Sequence, residues 1–392
     1  MELDLTWILL GLPTAFALGW IASRLDLRQM RIANRQAPRA YFKGLNHLLN
    51  EQQDQAIDAF IEAVQNDPDT SELHFALGNL FRRRGEYDRA VRVHEHLLSR
   101  ADISHADRQR AQHGLALDYL KAGLLDRAEE ALRKLEGTSY EGQARLARMA
   151  IYERSREWPE AAAVARLLEK SGEADFGIRL AHYQCEQARE AVQKGDSAKA
   201  LELLAQALQA HPSAARPRLL LGQLQLSQGL ATAAYETLSG FFKHNDMAAP
   251  LAAGSYAQAA LACDMATQAC DLLKAHYQRQ PCIDVLDAIT TLEAHLTPSA
   301  DTSDASDASA LQRYLDHLQN HPSLMAASRW LNGAKNEVGE LPAPVQKTLE
   351  NATKPLARYR CAACGFEAKE HFWHCPGCQS WDSYPPRRVE EL

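Results

Sequence analysis

The chain has 392 residues, 46% of them hydrophobic but only 7% aromatic, with 20 glycines and 16 prolines. These proportions favour helices over a β-rich or disordered chain. A formal net charge of −7 gives no global support for nucleic-acid binding, and eight cysteines in so long a chain are not the disulfide framework of a small secreted domain.

The first 23 residues read as a transmembrane anchor. Leu5 to Ser23 carries no charge, and nineteen helical residues cover about 28 Å, close to the hydrocarbon thickness of a bilayer. Trp7 and Trp20 stand near its ends, where interfacial tryptophans belong. Glu2 and Asp4 precede the run, and Arg24, Arg28, Arg31, Arg35 and Arg39 follow it. This charge bias puts the body of the protein in the cytoplasm, with residues 24–36 as a basic juxtamembrane segment. A cleaved signal peptide would carry its basic residues ahead of the apolar run. A buried helix is the other alternative, because Pro13 interrupts the run. A cytoplasmic body also keeps thiols reduced.

Residues 37–297 repeat. Leu77, Gly78, Phe81, Gly85 and Ala90 form the skeleton of a tetratricopeptide unit: small residues let two helices approach, and a glycine turns between them. The skeleton returns as Tyr119, Gly123 and Ala128, as Tyr152, Arg156 and Ala161, as Gly195 and Ala200, and as Gly222, Gly229 and Ala234. An opening unit shows Gly44, Ala56, Phe60, Ala63 and Pro68, and a weaker seventh shows Ala269, Leu273 and Pro281. Gly195 and Gly229 stand 34 residues apart, the period of this repeat. The expectation is an all-α superhelix of helix pairs that binds proteins. No phosphate loop, nucleophile elbow or His-Glu-x-x-His helix occurs in it, so no catalytic residue is predicted. The histidines read as surface residues, and Arg82 to Arg84 as a solvated helix end.

Pro298 to Ala310 is acidic, low in complexity and free of large apolar residues, which predicts a flexible linker over 298–310. Further helices are expected within 311–354, at Leu311 to Leu318, Ser323 to Leu331 and about Val345 to Ala352. The last stretch, 355–392, holds Cys361-x-x-Cys364-Gly365 and Cys375-Pro376-Gly377-Cys378. Two such pairs in tight turns supply four thiolates to one tetrahedral ion, iron or zinc, in a closed site without an open catalytic position. Phe366, Trp373, Trp381 and Tyr384 are the expected core of this small ribbon, with Gly365 in a left-handed turn position and Pro376 stiffening the second turn. Cys185, Cys263, Cys270 and Cys282 read as buried free thiols. Few cations near the ribbon, offset by Glu367, Glu370, Glu390 and Glu391, argue against nucleic acid.

With these pieces in order, the chain resembles the lipopolysaccharide assembly protein B family nearly end to end. The likeness rests on the anchor, Gly44 to Glu51, Leu77 to Arg82, Gly85 to Glu95 and Ala181 to Glu186. Most specific is Tyr359-Arg-Cys361-x-x-Cys364-Gly-Phe366 with Trp373-His-Cys375-Pro-x-Cys378 and Trp381. The resemblance implies a rubredoxin-like metal domain packed on the repeats, a periplasmic N-terminus and a non-enzymatic body at the cytoplasmic face of the inner membrane. It further implies action with the protease FtsH to promote degradation of the deacetylase LpxC, and gathering of lipopolysaccharide biosynthesis proteins. Cys361, Cys364, Cys375 and Cys378 would be the metal ligands. The alternative is a rubredoxin-like electron-transfer protein carried on a repeat scaffold.

Overall fold

A computed structural model describes residues 16, 20, 42–66, 70–172, 174–296, 303–334 and 342–392. The expected anchor and basic segment lie outside the described residues, apart from Phe16 and Trp20. No helix among the described residues is long and apolar enough to cross a membrane. The chain forms two compact units, Met1–Val164 and Ala165–Leu392.

The first unit contains α1 (42–49), α2 (Gln53–Asn66), α3 (Ser71–Arg84), α4 (Tyr87–Ser99), α5 (His105–Ala122), α6 (Leu125–Arg133) and α7 (Glu141–Ser155). The unit boundary falls within α8 (Trp158–Lys170). The second unit continues with α9 (Gly177–Gln193), α10 (Ser197–Ala210), α11 (Ala215–Ser227), α12 (Ala231–His244), α13 (Ala249–Ala262) and α14 (Ala266–Arg279). After these come α15 (Ile283–Leu296), α16 (Ser303–Asn320), α17 (Leu324–Gly333) and α18 (Ala343–Leu356), then the strands β1 (Tyr359–Arg360) and β2 (Glu367–Ala368).

One turn geometry makes the helix pairs. Glu51, Gly85, Gly123, Arg156, Gly195, Gly229 and Asp264 all take left-handed backbone angles, with φ between 59° and 84°. The amide after each reaches the carbonyl five residues back, as in Glu86 to Phe81 at 2.9 Å and Met265 to Ala260 at 2.8 Å. This closure satisfies the last carbonyls of the first helix and turns the chain into the second. Glycine bears the left-handed position without penalty, and four of the seven are glycine. Glu51, Arg156 and Asp264 take it at some steric expense, which the surrounding pair holds in place.

Small residues then set how closely the helices approach. In the first unit the His94 ring of α4 lies between two glycines. A Cβ on Gly78 of α3 would come within 2.7 Å of that ring, and so would one on Gly114 of α5. His94 Nδ1 lies 2.5 Å from Asp118 Oδ2 on α5, and Arg82 of α3 donates to Asp118 Oδ1 at 2.8 Å and to the Gly114 carbonyl at 3.2 Å. His94 and Asp118 are both buried. Arg82 is therefore a structural cation, not the solvated helix end expected, and His74, His94, His182, His276 and His317 are buried although histidines were expected at the surface. The reason is the same each time: a carboxylate, hydroxyl or carbonyl meets the ring and replaces water.

In the second unit Ala249, Ala252, Ala253, Ala257, Ala259 and Ala260 of α13 pack into one core with Leu238, Phe241 and Phe242 of α12 and Leu273 of α14. Cys185, Cys270 and Cys282 are buried free thiols as expected, while Cys263 is only part-buried. Helix α16 starts at Ser303, inside the segment expected to be a linker. Its first residues are serine, aspartate and alanine, and alanine favours a helix while aspartates suit the positive end of its dipole.

Removing Asp118 would leave Arg82 and His94 without their shared acceptor. Asp118→Ala is expected to lower the stability of the first unit by about 3–5 kcal/mol. The exposed Asp102→Ala should leave it nearly unchanged. Urea unfolding of the two variants checks the contrast.

Candidate metal centre

The ribbon is built by two turns of the same form. Strands β1 and β2 pair antiparallel with Tyr359 opposite Ala368 and Arg360 opposite Glu367, and the first turn lies between them. There Gly365 N donates to the Cys361 carbonyl at 2.9 Å, and Cys361 N donates to the Phe366 carbonyl at 2.9 Å. The second turn repeats this: Gln379 N to the Cys375 carbonyl and Cys375 N to the Ser380 carbonyl, each 2.9 Å. Gly365 has φ 77° and Gln379 has φ 59°. Gln379 thus adopts the left-handed position itself, in the turn that Pro376 was expected to stiffen. His374 and Trp381 form a bridge that closes the second turn.

These turns bring all four predicted cysteines together. Cys361 Sγ lies 3.8 Å from Cys378 Sγ, Cys364 Sγ lies 3.7 Å from Cys375 Sγ, and all four sulfurs fall within 4.8 Å of one another. A tetrahedral ion with metal–sulfur bonds of about 2.3 Å places its ligands about 3.8 Å apart. The donor set therefore fits one ion on four sulfurs, and zinc and iron both accept it. Cys361 and Cys375 are buried, while Cys364 and Cys378 reach the surface.

The surroundings favour thiolates at two positions. Burial opposes ionisation of Cys361, but Ser383 Oγ at 3.3 Å and the amides of Cys364 and Ala363 outweigh it and bring the pKa down to about 6. The Ser380 hydroxyl, 3.3 Å from Cys378 Sγ, and the Ser380 amide lower that thiol as well. Cys364 is different. The Phe366 amide pulls its pKa down, yet burial and the other sulfurs push it up to about 12. Four neighbouring thiols do not all lose protons unaided, and a bound cation displaces the remainder.

The ribbon does not keep its aromatic residues to itself. Only Tyr384 joins its interior, with Tyr359, Cys361 and Cys375, while Phe366 is 44% exposed. Trp373 packs against the α12–α15 core. Trp381 stacks on His182 of α9 at 4.8 Å and on His374 at 4.3 Å, with the Arg216 guanidinium of α11 6.0 Å from its ring. His182 Nε2 lies 2.9 Å from Asp382 Oδ2. The expected four-residue core is thus corrected: a module this small gains more by burying its tryptophans on the helices.

The last residues extend the docking. Arg388 makes a two-pronged pair with Asp284 of α15 at 2.8 and 3.0 Å, donates to the Ala357 carbonyl at 2.8 Å, and lies 4.3 Å from the centre of the Tyr359 ring. Glu391 accepts from Ile283 N at 2.6 Å and Glu390 from Leu324 N at 2.5 Å, so two carboxylates cap the starts of α15 and α17. Sequence reasoning missed His182, Arg216, Asp284, Asp382, Arg388 and both caps. The contacts by which they fasten the ribbon and tail to the helices span 66 to 200 residues, and no local pattern announces such pairs.

Burial lowers the pKa of His182 and His371, with Arg216 adding to the effect and Asp382 opposing it. A histidine depressed in the docked state binds protons less there than when released. Its contribution to docking is therefore whole above the ordinary value near 6.5 and is lost as pH falls below it. Acidification from about pH 7.5 to about pH 5.5 is expected to loosen the ribbon. Hydrogen exchange over residues 371–384, corrected for intrinsic rates and with bound metal assayed in parallel, checks this. His182→Gln should flatten the profile.

Residues 359–385 match the rubredoxin metal binding domain family, and residues 73–108 and 185–240 match tetratricopeptide repeat families. Lipopolysaccharide assembly protein B of Escherichia coli strain K12 is 31% identical over 404 aligned positions that cover 98% of each chain. The protein of that name from Haemophilus influenzae is 28% identical over 400 positions, again 98% of each. Among solved structures, Naa15/Naa10 bound to HypK-THB aligns at a TM-score of 0.43 with 16% identity, over 81% of this chain and 46% of that one. With 31% identity over 98% of both chains, this chain belongs to the lipopolysaccharide assembly protein B family.

Proposed function

We propose that the protein is a membrane-anchored cytoplasmic adaptor that regulates lipopolysaccharide synthesis without a catalytic step of its own. In this reading it promotes degradation of LpxC by FtsH and gathers lipopolysaccharide biosynthesis and assembly proteins at the inner membrane. The observation that carries the adaptor role is the docking of a four-sulfur ribbon across α9, α11, α13 and α15. A set of four thiolates leaves an ion no open position for substrate, so the ribbon's contribution is shape. The uncharged run from Leu5 to Ser23, followed by five arginines, supports a single-pass anchor with the N-terminus periplasmic. An anchor confines the chain to the plane of its partners and raises their effective concentration.

Cys361, Cys364, Cys375 and Cys378 are proposed to hold one iron or zinc ion. When bound, the ion supplies folding energy to the ribbon and fixes its geometry. The chain's own residues do the rest: Trp373, Trp381 and Asp382 meet the helices, and Arg388, Glu390 and Glu391 fasten the tail. Replacing Cys361 and Cys364 by serine is expected to release the metal and abolish function. A double variant that lost its metal yet still complemented a depletion strain would sink the structural role.

Depletion of the protein is expected to raise the LpxC level several-fold, and the rise should vanish when FtsH is inactivated beforehand. Immunoblotting after a translation block reads this directly. Unchanged LpxC turnover in depleted cells would end the adaptor reading.

A further inference from the structure

The hydroxyl of Tyr384 is buried and has no hydrogen-bond partner. A buried hydroxyl left unpaired is costly, so its neighbours indicate what it is meant to meet. Tyr384 shares its cluster with Tyr359, Cys361 and Cys375. The other hydroxyls near the site are already placed: Ser383 lies beside Cys361 and Ser380 beside Cys378. Cys375 is fully buried, and a buried thiolate needs a donor more than an exposed one does.

The rest of Tyr384 is held firmly. Its carbonyl lies 3.0 Å from His371 Nε2, and its ring meets Phe372 edge-on at 5.9 Å and His371 at 6.0 Å. Leu251 of α13 packs against the same cluster. The ring is thus held edge-on by Phe372 and His371 inside the cluster that contains Cys361 and Cys375.

We infer that the Tyr384 hydroxyl donates a hydrogen bond to the Cys375 thiolate of the metal-loaded ribbon, making it a positioning residue for that ligand. The inference rests on the proposed ligand role of the four cysteines. It gives one buried ligand a donor that comes from outside both turns. It also links the electron density at one sulfur to the packing of the ribbon on α13.

The full chain loaded with cobalt(II) tests this, because thiolate-to-cobalt charge-transfer absorption reports the donor strength of the sulfurs. Tyr384→Phe keeps the ring and removes only the hydroxyl. It is expected to take up one cobalt per chain, to move the band to lower energy, and to lose cobalt to EDTA about 10–100-fold faster. 3-Fluorotyrosine placed at position 384 is a stronger donor and should move the band to higher energy; this arm decides the matter if Tyr384→Phe does not fold. A band unmoved in both variants overturns the inference even if release is faster, since the loss would then be one of packing. Wild-type protein that takes up no cobalt would overturn the ligand role of the cysteines as well, which separates the two failures.

Discussion

Four sulfurs held within 4.8 Å of one another are the constraint on which the second unit depends. As thiolates they would carry more negative charge than a module of fewer than 40 residues could bury unaided, and as thiols they would give it almost no cohesion. The local answer is a shell of turn amides and the hydroxyls of Ser380 and Ser383, to which a bound cation would add its charge. With cohesion supplied at the sulfurs, the aromatic residues are free to face outward. Trp373 and Trp381 then do for the helices what they could not do for the ribbon, filling an interface instead of a core. The ribbon and α9 to α15 are for this reason parts of one packed body.

That interface is unusually polar for one so well packed. His182, Asp382, Arg216, Glu186, Arg388 and Asp284 form paired charges across or beside it, and Glu390 and Glu391 cap helix starts from the other end of the chain. Ion pairs of this sort add little to stability over an apolar equivalent, because desolvation offsets their attraction. What they add is selectivity of position. Trp381 could stack on several helix faces, but only one places Asp382 on His182 and Arg388 on Asp284 together. A helix start left uncapped would likewise penalise any shifted arrangement.

The repeats were legible because glycine marks a left-handed turn in sequence. Gly85, Gly123, Gly195 and Gly229 display the period openly, whereas Glu51 and Asp264 occupy the same backbone position without a distinguishing residue type. The four cysteines were legible for a similar reason, since spacing alone places two donors on one tight turn. The buried histidines were not. His94 in α4 resembles any surface histidine until Gly78 and Gly114 are seen to make room for its ring and Asp118 to meet it. The segment from Ser303 misled in the other direction. Serine, aspartate and alanine read as a linker by composition, but none of them forbids a helix.

The same logic governs both units at different scales. Alanine-rich helix faces such as that of α13 pack closely but are nearly featureless, and one such face can slide along another with little change in buried area. A repeat array built on them needs devices that reject every register but one. In the first unit the device is Asp118, which can satisfy Arg82 of α3 and His94 of α4 only when three successive helices are in place. In the second it is the docked ribbon, whose contacts reach α9, α11, α13 and α15 at once. A bound ion that held the ribbon's shape would therefore act at a distance on the helices: by fixing where Trp373, Trp381 and Asp382 sit, it would fix which arrangement of the four helices those side chains accept.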